Sequence, residues 1–545
     1  MIDQHKGVWA GVLITSLFWI LFSLQGCPYL KQSPPQYIFL ITLDTTRADH
    51  IHYSLEENTL TPNLAVLASQ GIYFSNAYSL IPITLPSHLS MFYSLPPHIL
   101  RVYNNGEINL SPLPSLEKIL KNNGYNTGAV ISLGTVSLRW GIGTDFDHYI
   151  ENFRKPYLWY KTGEHVNEDA FTLINQLKHN KTYFWIHYSD PHSPYFTPEY
   201  KGEFSVSLNG EKKFVSKSTE RALVELKLTL KPGQNILKLD TEVPKQIKQD
   251  KDLNIEWIEY EDFSITPLPE NRNPTAKFPR EWIKESLSNS VNFRTHQLNS
   301  SIELQNKGTQ NIKTQLYFVF KMVPTVKSTQ ILYRKEVQYM DECIGKLIDF
   351  LKKNGFYKDS AFVIMGDHGE GLGEYQNHVG HIHFLNKCFV QTPLIISGKN
   401  IRKQGIRKEL ASNLDIAPTI LDMAQIKKPE FMMGDSLLNP LKNQKLLLET
   451  YAPEARGNAF SIINFPYQII VYPYRDQNKL ELIDLTADKL GVENLMNHQG
   501  LKLESKYSLI KDVQEKAQQL SQKRENKPKI SEIDEDILKS LGYIK

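Results

Sequence analysis

An α/β fold built on a largely parallel sheet is what this sequence predicts, and three observations predict it. Residues 37–43 (YIFLITL), 182–188 (TYFWIHY) and 361–365 (AFVIM) are nearly unbroken apolar, β-rich runs, the pattern of strands buried on both faces. Stretches with helical signals stand between them, as expected when helices cover such a sheet. Asp44 closes the first run and Gly366-Asp367-His368 the last. Polar groups therefore fall at the carboxyl ends of strands, the edge where open α/β sheets bind ligands.

Taken in order, Thr61-Pro62 reads as a helix start and Gly71 as its stop. A second helix is expected over 114–122, ended by Gly124. A long helix over 332–353 carries Val337, Met340, Ile344, Leu347, Ile348 and Leu351 on one stripe, with Glu336, Asp341 and Lys346 opposite. Residues 201–322 break the rhythm. There Val224, Leu226, Leu228 and Leu230 alternate with Glu225, Lys227 and Thr229 before a Pro232-Gly233 turn, and shorter alternations recur at 253–258, 289–294 and 312–320. An inserted antiparallel β-sandwich is expected. Packing or substrate shaping is its expected role ahead of sugar binding, because a sandwich by itself implies no function. Gly141-Ile142-Gly143 lacks the aspartate and strand context of a dinucleotide site and reads as a loop. The expected organisation is a leader (1–27), a linker (28–36), a catalytic domain in two parts (37–200 and 323–440) around the insert (201–322), and a small C-terminal α+β subdomain (441–545).

Composition narrows the function. A chain of 545 residues that is 41% hydrophobic can bury one large core and accessory domains. Its net charge of +3 is spread along the chain without a basic stripe, which argues against nucleic acid as a partner. The three cysteines, Cys27, Cys343 and Cys388, make neither a disulfide framework nor a zinc cluster. Residues 8–24 are almost wholly apolar, after His5 and Lys6 and directly before Leu24-Gln25-Gly26-Cys27. Such a run fits a signal-peptide core and lies at the lower limit for a membrane span. The Gly26-Cys27 junction resembles a bacterial lipobox, which implies lipidation of Cys27. Gln25 departs from the small or apolar residue usual there, so an uncleaved anchor helix is the alternative. Both readings hold the chain at the membrane of a bacterial envelope, on its periplasmic or extracellular side. The sequence sets no oligomeric state.

Two carboxylates and an imidazole, Asp44, Asp367 and His368, suit a divalent cation at the strand ends. Around them ITLDTTRADH, TPNLAVLASQGIYFSNAYS, PITLPSH, LEKILKNNGYNTGAV, FWIHYSDPHSPY, EVQYMDECIGKLIDFLKKNGFY, MGDHGEGLGE and LDIAPTILDM follow one another. This succession resembles the sulfatase family of the alkaline phosphatase superfamily, and ELIDLTADKLGVENL and ILKSLGYIK resemble its C-terminal end. The resemblance covers nearly the whole chain apart from the leader and the insert. It implies helices sandwiching a mostly parallel sheet, and a metal-dependent ester hydrolase or transferase.

The departures from the family pattern carry information too. Sulfatases proper have a Cys or Ser, oxidised to formylglycine, in a CxPxR-type motif, whereas this chain has Thr84-Leu85-Pro86-Ser87-His88. Threonine cannot yield that aldehyde, which needs an unbranched β-carbon. Thr45 replaces the second aspartate of the family's usual pair, and Gly380-His381 stands where many sulfatases place a lysine. The surviving set of Asp44, Thr84, Asp367 and His368 resembles the single-metal site of phosphoethanolamine transferases and lipoteichoic acid synthases. That implies zinc or manganese, with calcium or magnesium open. It also implies Thr84 as metal ligand and nucleophile, and phosphoryl ahead of sulfuryl transfer.

The residue chemistry agrees. Pro86 in a first helical turn puts Thr84 at a helix N-terminus, where N–H groups and the dipole favour a tetrahedral anion. A hydroxyl becomes a useful nucleophile when a metal or a base activates it. His192 and His381 are expected to contact substrate oxygens, one of them protonating the leaving oxygen. His88 is expected to take part of the missing arginine's role or to cap its helix. His187 reads as a satisfied core histidine, and Arg47 with Asp49 as a structural pair. The expected substrate is a phosphate or sulfate ester, small or carried by a glycan or lipid headgroup. The rivals are a sulfatase that works without formylglycine and an inactive, lipid-anchored polysaccharide-binding protein. For the leader, Cys27→Ser is expected to leave a longer, unprocessed chain and to abolish fatty-acid labelling. Unchanged mobility, with no label in the wild type, selects the uncleaved helix.

Overall fold

The computed structural model describes residues 33–521 apart from 55–58, 154–159, 194, 196–201, 217–221, 244–248, 250, 268–274, 278–282, 288–289, 296, 403–404, 442–444, 452–456, 474–478 and 498–506. The apolar leader and Cys27 lie outside the described residues. Among the described residues no helix is long and apolar enough to cross a membrane.

The apolar runs form the middle of an eight-stranded sheet. Its order is Gly405–Ser412, Ile72–Tyr78, Leu394–Gly398, Ser360–Gly366, Tyr37–Leu43, Thr182–Tyr188, Asn126–Val130 and His148–Ile150. Leu394–Gly398 runs antiparallel to both neighbours, and every other pairing in the sheet is parallel. Strand alternation assigns the two faces. Phe39, Ile41 and Leu43 pack with helices Pro62–Gln70, Gly163–Leu177 and Val326–Lys353. Ile38 and Leu40 pack on the other side with helices Thr84–Tyr93, Leu116–Asn122 and Ile416–Met423. The result is a three-layer α/β sandwich. In register, Leu43 lies opposite both Tyr188 and Gly366, so the chain leaves adjacent strands side by side at Asp44 and Asp367.

The segment that breaks the α/β rhythm contains two five-stranded antiparallel sheets. They include the alternating run Ala222–Leu230 and strands Ile255–Pro267, Ser290–Thr295 and Ile312–Pro324. Phe204, Tyr260, Phe318 and Phe320 meet between them, with the Phe204 and Phe320 rings stacked at 3.8 Å. Further along, a four-stranded antiparallel sheet (Leu446–Thr450, Ala459–Asn464, Tyr467–Tyr472 and Lys479–Asp484) carries helix Tyr507–Ser521, whose Leu509, Val513 and Ala517 pack on Phe460 and Val471.

The long helix departs from expectation. It begins at Val326 rather than 332, because Thr325 caps it by accepting from Ser328 N directly after the last strand of the insert. Glu336 and Asp341, read as part of its polar face, are buried. The reason at Asp341 is a neighbouring helix end. Its carboxylate accepts from Asn63 N at 3.0 Å and Leu64 N at 2.8 Å, capping Pro62–Gln70, whose own Thr61 makes no side-chain cap bond. Asp341→Ala should strip both bonds and cost about 1–3 kcal/mol in urea unfolding. Lys346→Ala, on the exposed side of the same helix, should stay within about 0.5 kcal/mol.

Candidate active site

Asp44 follows the strand Tyr37–Leu43, and Asp367 and His368 follow Ser360–Gly366. The ligand atoms of these three buried residues all lie within 4.8 Å of one another. Thr45 makes this convergence by an unusual backbone. At φ 53° it occupies the left-handed region, rare for a β-branched residue, and its N–H thereby reaches Asp367 Oδ1 at 3.0 Å. His368 N donates to the same oxygen at 2.7 Å. The loop is clamped from outside. Arg47 pairs with Asp49 and Glu374 at 2.7 and 2.6 Å, so it is structural as expected, and Tyr333 OH donates to Thr45 O at 2.7 Å.

Thr84 is the first residue of helix Thr84–Tyr93, as expected from Pro86. Its Oγ1 lies 3.3 Å from His368 Nε2. The helix end offers fewer donors than expected. Leu85 N–H binds Asn105 Oδ1, Pro86 has none, and Ser87 N–H binds Ile83 O. Its dipole still favours an anion, but most of the neutralisation is left to groups outside the helix end.

The histidines divide into two groups. His192 and His381 are each 9% exposed, whereas Asp44, Thr84, Asp367 and His368 are fully buried. The His381 ring lies 4.5 Å from that of His368 and 5.5 Å from that of His192. His88 and His187 belong to the interior. His88 Nδ1 bonds Thr84 O at 2.8 Å and lies 3.8 Å from Asp367 Oδ2, so it faces the cluster, and its ring packs on Trp185 and His187. His187 bonds Ser132 Oγ at 2.8 Å, as a core histidine should. Its Nε2 nevertheless lies 3.4 Å from Asp44 Oδ2, so it also faces the cluster.

The electrostatics call for a cation. Neither Asp44 oxygen, nor Asp367 Oδ2, has a hydrogen-bond donor among the described residues, although all are buried. Burial would raise the Asp44 pKa, but His187, His192 and His368 outweigh it and hold this carboxyl below the usual range. Burial and the adjoining Asp44 charge hold Asp367 well above it. Two such carboxyls cannot both ionise in isolation. Burial likewise pushes His368 and His381 down to about 3, leaving neutral imidazoles, the form that binds metals. Two acceptor-only oxygens and an imidazole nitrogen match Zn²⁺ or Mn²⁺, with Mg²⁺ and Ca²⁺ better served by all-oxygen sets.

Two residues not singled out from sequence complete the surroundings. Glu370 binds His381 and Tyr195 at 2.8 and 2.7 Å. The offset of Glu370 from His368 within MGDHGEGLGE was the available signal. Nothing local marks Tyr195 as its partner.

A mostly parallel sheet whose strand ends gather a buried Asp/Asp/His cluster before a helix-terminal hydroxyl has the alkaline phosphatase type of architecture. Within that class, the chain belongs to the sulfatase family, whose profile matches residues 36–426. A second profile, described as the C-terminal region of N-sulphoglucosamine sulphohydrolase, matches residues 380–523. An N-acetylglucosamine-6-O-sulfatase of Bacteroides thetaiotaomicron is 23% identical over 512 residues, 85% of this chain and 82% of that protein. A structure solved with its substrate D-glucosamine-2-N,6-O-disulfate aligns with a TM-score of 0.57 at 17% identity, covering 91% of this chain and 100% of its own. A phosphonate monoester hydrolase from Silicibacter pomeroyi aligns at 0.56 with 14% identity, covering 90% and 95%. At these identities the two structures establish a shared fold.

Occupancy by a cation can be measured without substrate. Zn²⁺ or Mn²⁺ at 100 times its Kd should stabilise the protein by about 2.7 kcal/mol, seen as a raised melting temperature. Asp44→Asn and Asp367→Asn should each remove that response. An unchanged response in both variants places the cation elsewhere.

Proposed function

We propose that this protein cleaves or transfers a phosphate or sulfate ester, carried by a glycan or an envelope headgroup, through a covalent ester on Thr84. The observation that carries the reading is the placement of Thr84 Oγ1 at a helix N-terminus, 3.3 Å from Nε2 of His368, itself a member of the Asp44/Asp367/His368 cluster. Asp44, Asp367 and His368 would hold a divalent cation, with Thr84 beside it, and the cation would lower the hydroxyl pKa and polarise the ester.

Thr84 Oγ1 attacks the central phosphorus or sulfur as its proton passes to a site imidazole. The bond to the leaving oxygen breaks, its electron pair stays on that oxygen, and His381 or His192 supplies the proton. Water, or an acceptor alcohol, then attacks the same central atom and returns Thr84 to its hydroxyl form. His192 and His381, less buried than the cluster and with rings stepping towards His368, are suited to contact the substrate's oxygens. His88 braces the first turn of the helix.

Threonine weights the choice of ester towards phosphorus. Its β-carbon carries no second oxygen with which to expel a bound group, so the Thr84 ester must be resolved by attack at the central atom. A sulfate ester of an amino sugar is the second reading, favoured by the family and by the N-acetylglucosamine-6-O-sulfatase that spans most of the chain. The apolar leader supports an envelope location for either.

Purified protein with Zn²⁺ or Mn²⁺ should be assayed on an aryl phosphodiester, an aryl phosphate and an aryl sulfate. The diester is expected to be fastest. Thr84→Ala should lower turnover of all three by roughly 10³-fold or more, and Thr84→Ser should keep part of it. Mass spectrometry of quenched protein should find the adduct on the Thr84 peptide. Sulfate turnover above both phosphates selects the second reading, and full activity in Thr84→Ala refutes the mechanism. No turnover at all, with retained polysaccharide binding, selects the inactive binder.

A further inference from the structure

We propose that Glu370 is the positioning residue of His381, and that Tyr195 locks Glu370 in place. The inference rests on the reading above, in which His381 handles a proton at the Thr84 ester.

Glu370 is 1% exposed and both of its carboxylate oxygens are engaged. Oε2 lies 2.8 Å from His381 Nδ1, and Oε1 accepts from Tyr195 OH at 2.7 Å. The main chain of Glu370 is fixed as well, its N–H donating to Cys388 O at 3.1 Å and its carbonyl accepting from Arg47 Nη1 at 3.3 Å. Tyr195 is 3% exposed and holds a left-handed backbone at φ 59°, a conformation uncommon for a residue with a Cβ. Its ring lies 6.2 Å from that of Tyr333, the residue whose hydroxyl also grips the Asp44 loop.

Burial pushes the Glu370 carboxyl up to about 7. In its ionised form, already accepting from Tyr195 OH, it has no proton to give, and the bond to His381 then requires the proton on Nδ1. That choice of tautomer leaves Nε2, on the opposite edge of the ring, as the nitrogen that meets substrate. Neutral His381 can then accept the Thr84 proton at Nε2 and return it to the leaving oxygen. Between the two transfers the ring is an imidazolium, and the Glu370 carboxylate on its far side stabilises that charge. The same arrangement holds the ring plane at a fixed angle beside His368 and His192.

A buried ion pair that serves only stability would look similar at rest, so the test must read proton delivery. Metal-loaded protein should be assayed on a series of phosphodiesters, from an activated aryl to an alkyl leaving group. Activated groups depart without help, so the loss in Glu370→Gln should be small for them. It should grow to about 10²-fold in kcat for the alkyl ester, with KM nearly unchanged. Tyr195→Phe, which deletes one hydrogen bond and keeps the ring, should show the same trend with smaller amplitude. Glu370→Gln placed on His381→Ala should add almost nothing. In metal-free protein, nitrogen-15 shifts of the ring assigned by its loss in His381→Ala should report a proton on Nδ1 in the wild type and an altered tautomer mixture in Glu370→Gln. A loss equal for all leaving groups, or additive with His381→Ala, overturns the positioning role and leaves the Thr84 mechanism standing. Full activity in Thr84→Ala refutes that mechanism instead, whatever Glu370→Gln does.

Discussion

Two carboxylates buried together at the ends of adjacent parallel strands are the constraint on which the rest of this structure depends. Asp44 and Asp367 leave the sheet side by side because Leu43 and Gly366 are in register. Two buried carboxyls this close cannot both carry charge unless that charge is answered. The protein answers it in part with backbone donors, Thr45 N and His368 N on one Asp367 oxygen, and with the ring of His187 beside Asp44. The oxygens still lacking donors are where the proposed cation would answer the remainder. Stability and chemistry here draw on the same charges.

Around that cluster each functional group comes from a different part of the chain, and each is tied to its neighbours. Ser87, in the helix that starts at Thr84, donates to Asp367 O at 2.7 Å, and Asn413 reaches Ser87 from the far edge of the sheet. Tyr333, on the long helix, holds Thr45 O, and Arg47 N donates back to its hydroxyl at 3.0 Å. The helix that starts at Thr84, the Asp367 strand end and the Asp44 loop thus share one hydrogen-bond frame. In such a frame a small displacement at one member alters the distances at all of them.

What could be read from the sequence follows from how local each signal is. The strand Tyr37–Leu43 and its two neighbours were legible because strands covered on both faces must be apolar throughout. Asp44, Asp367, His368 and Thr84 were legible because each stands at an element boundary beside a breaker or a motif. Asp341 was misread because helical periodicity sees a carboxylate opposite an apolar stripe and cannot see the capped helix that packs on it. His187 was only half read, since strand burial predicted its interior position but not the neighbouring strand that brings Asp44 to its far nitrogen. Tyr195 was not legible at all, since its partner Glu370 is 175 residues away. The left-handed backbone at Thr45 is hidden for a similar reason: residue type argues against it, and the long-range bond to Asp367 overrides that preference.

The pairing of Tyr37–Leu43 with Ser360–Gly366 has a consequence for biosynthesis. Thr45 and Asp367, which seal this junction, are 322 residues apart, with the two antiparallel sheets of the insert between them. A nascent chain therefore makes Asp44 and Thr84 early and must wait, with a central strand open along one edge, until most of its length has been synthesised. Sandwich strands, whose contacts are nearer in sequence, can close during that wait. The candidate site is then among the last parts to assemble, since a chain interrupted after the sandwich lacks Asp367 and His368.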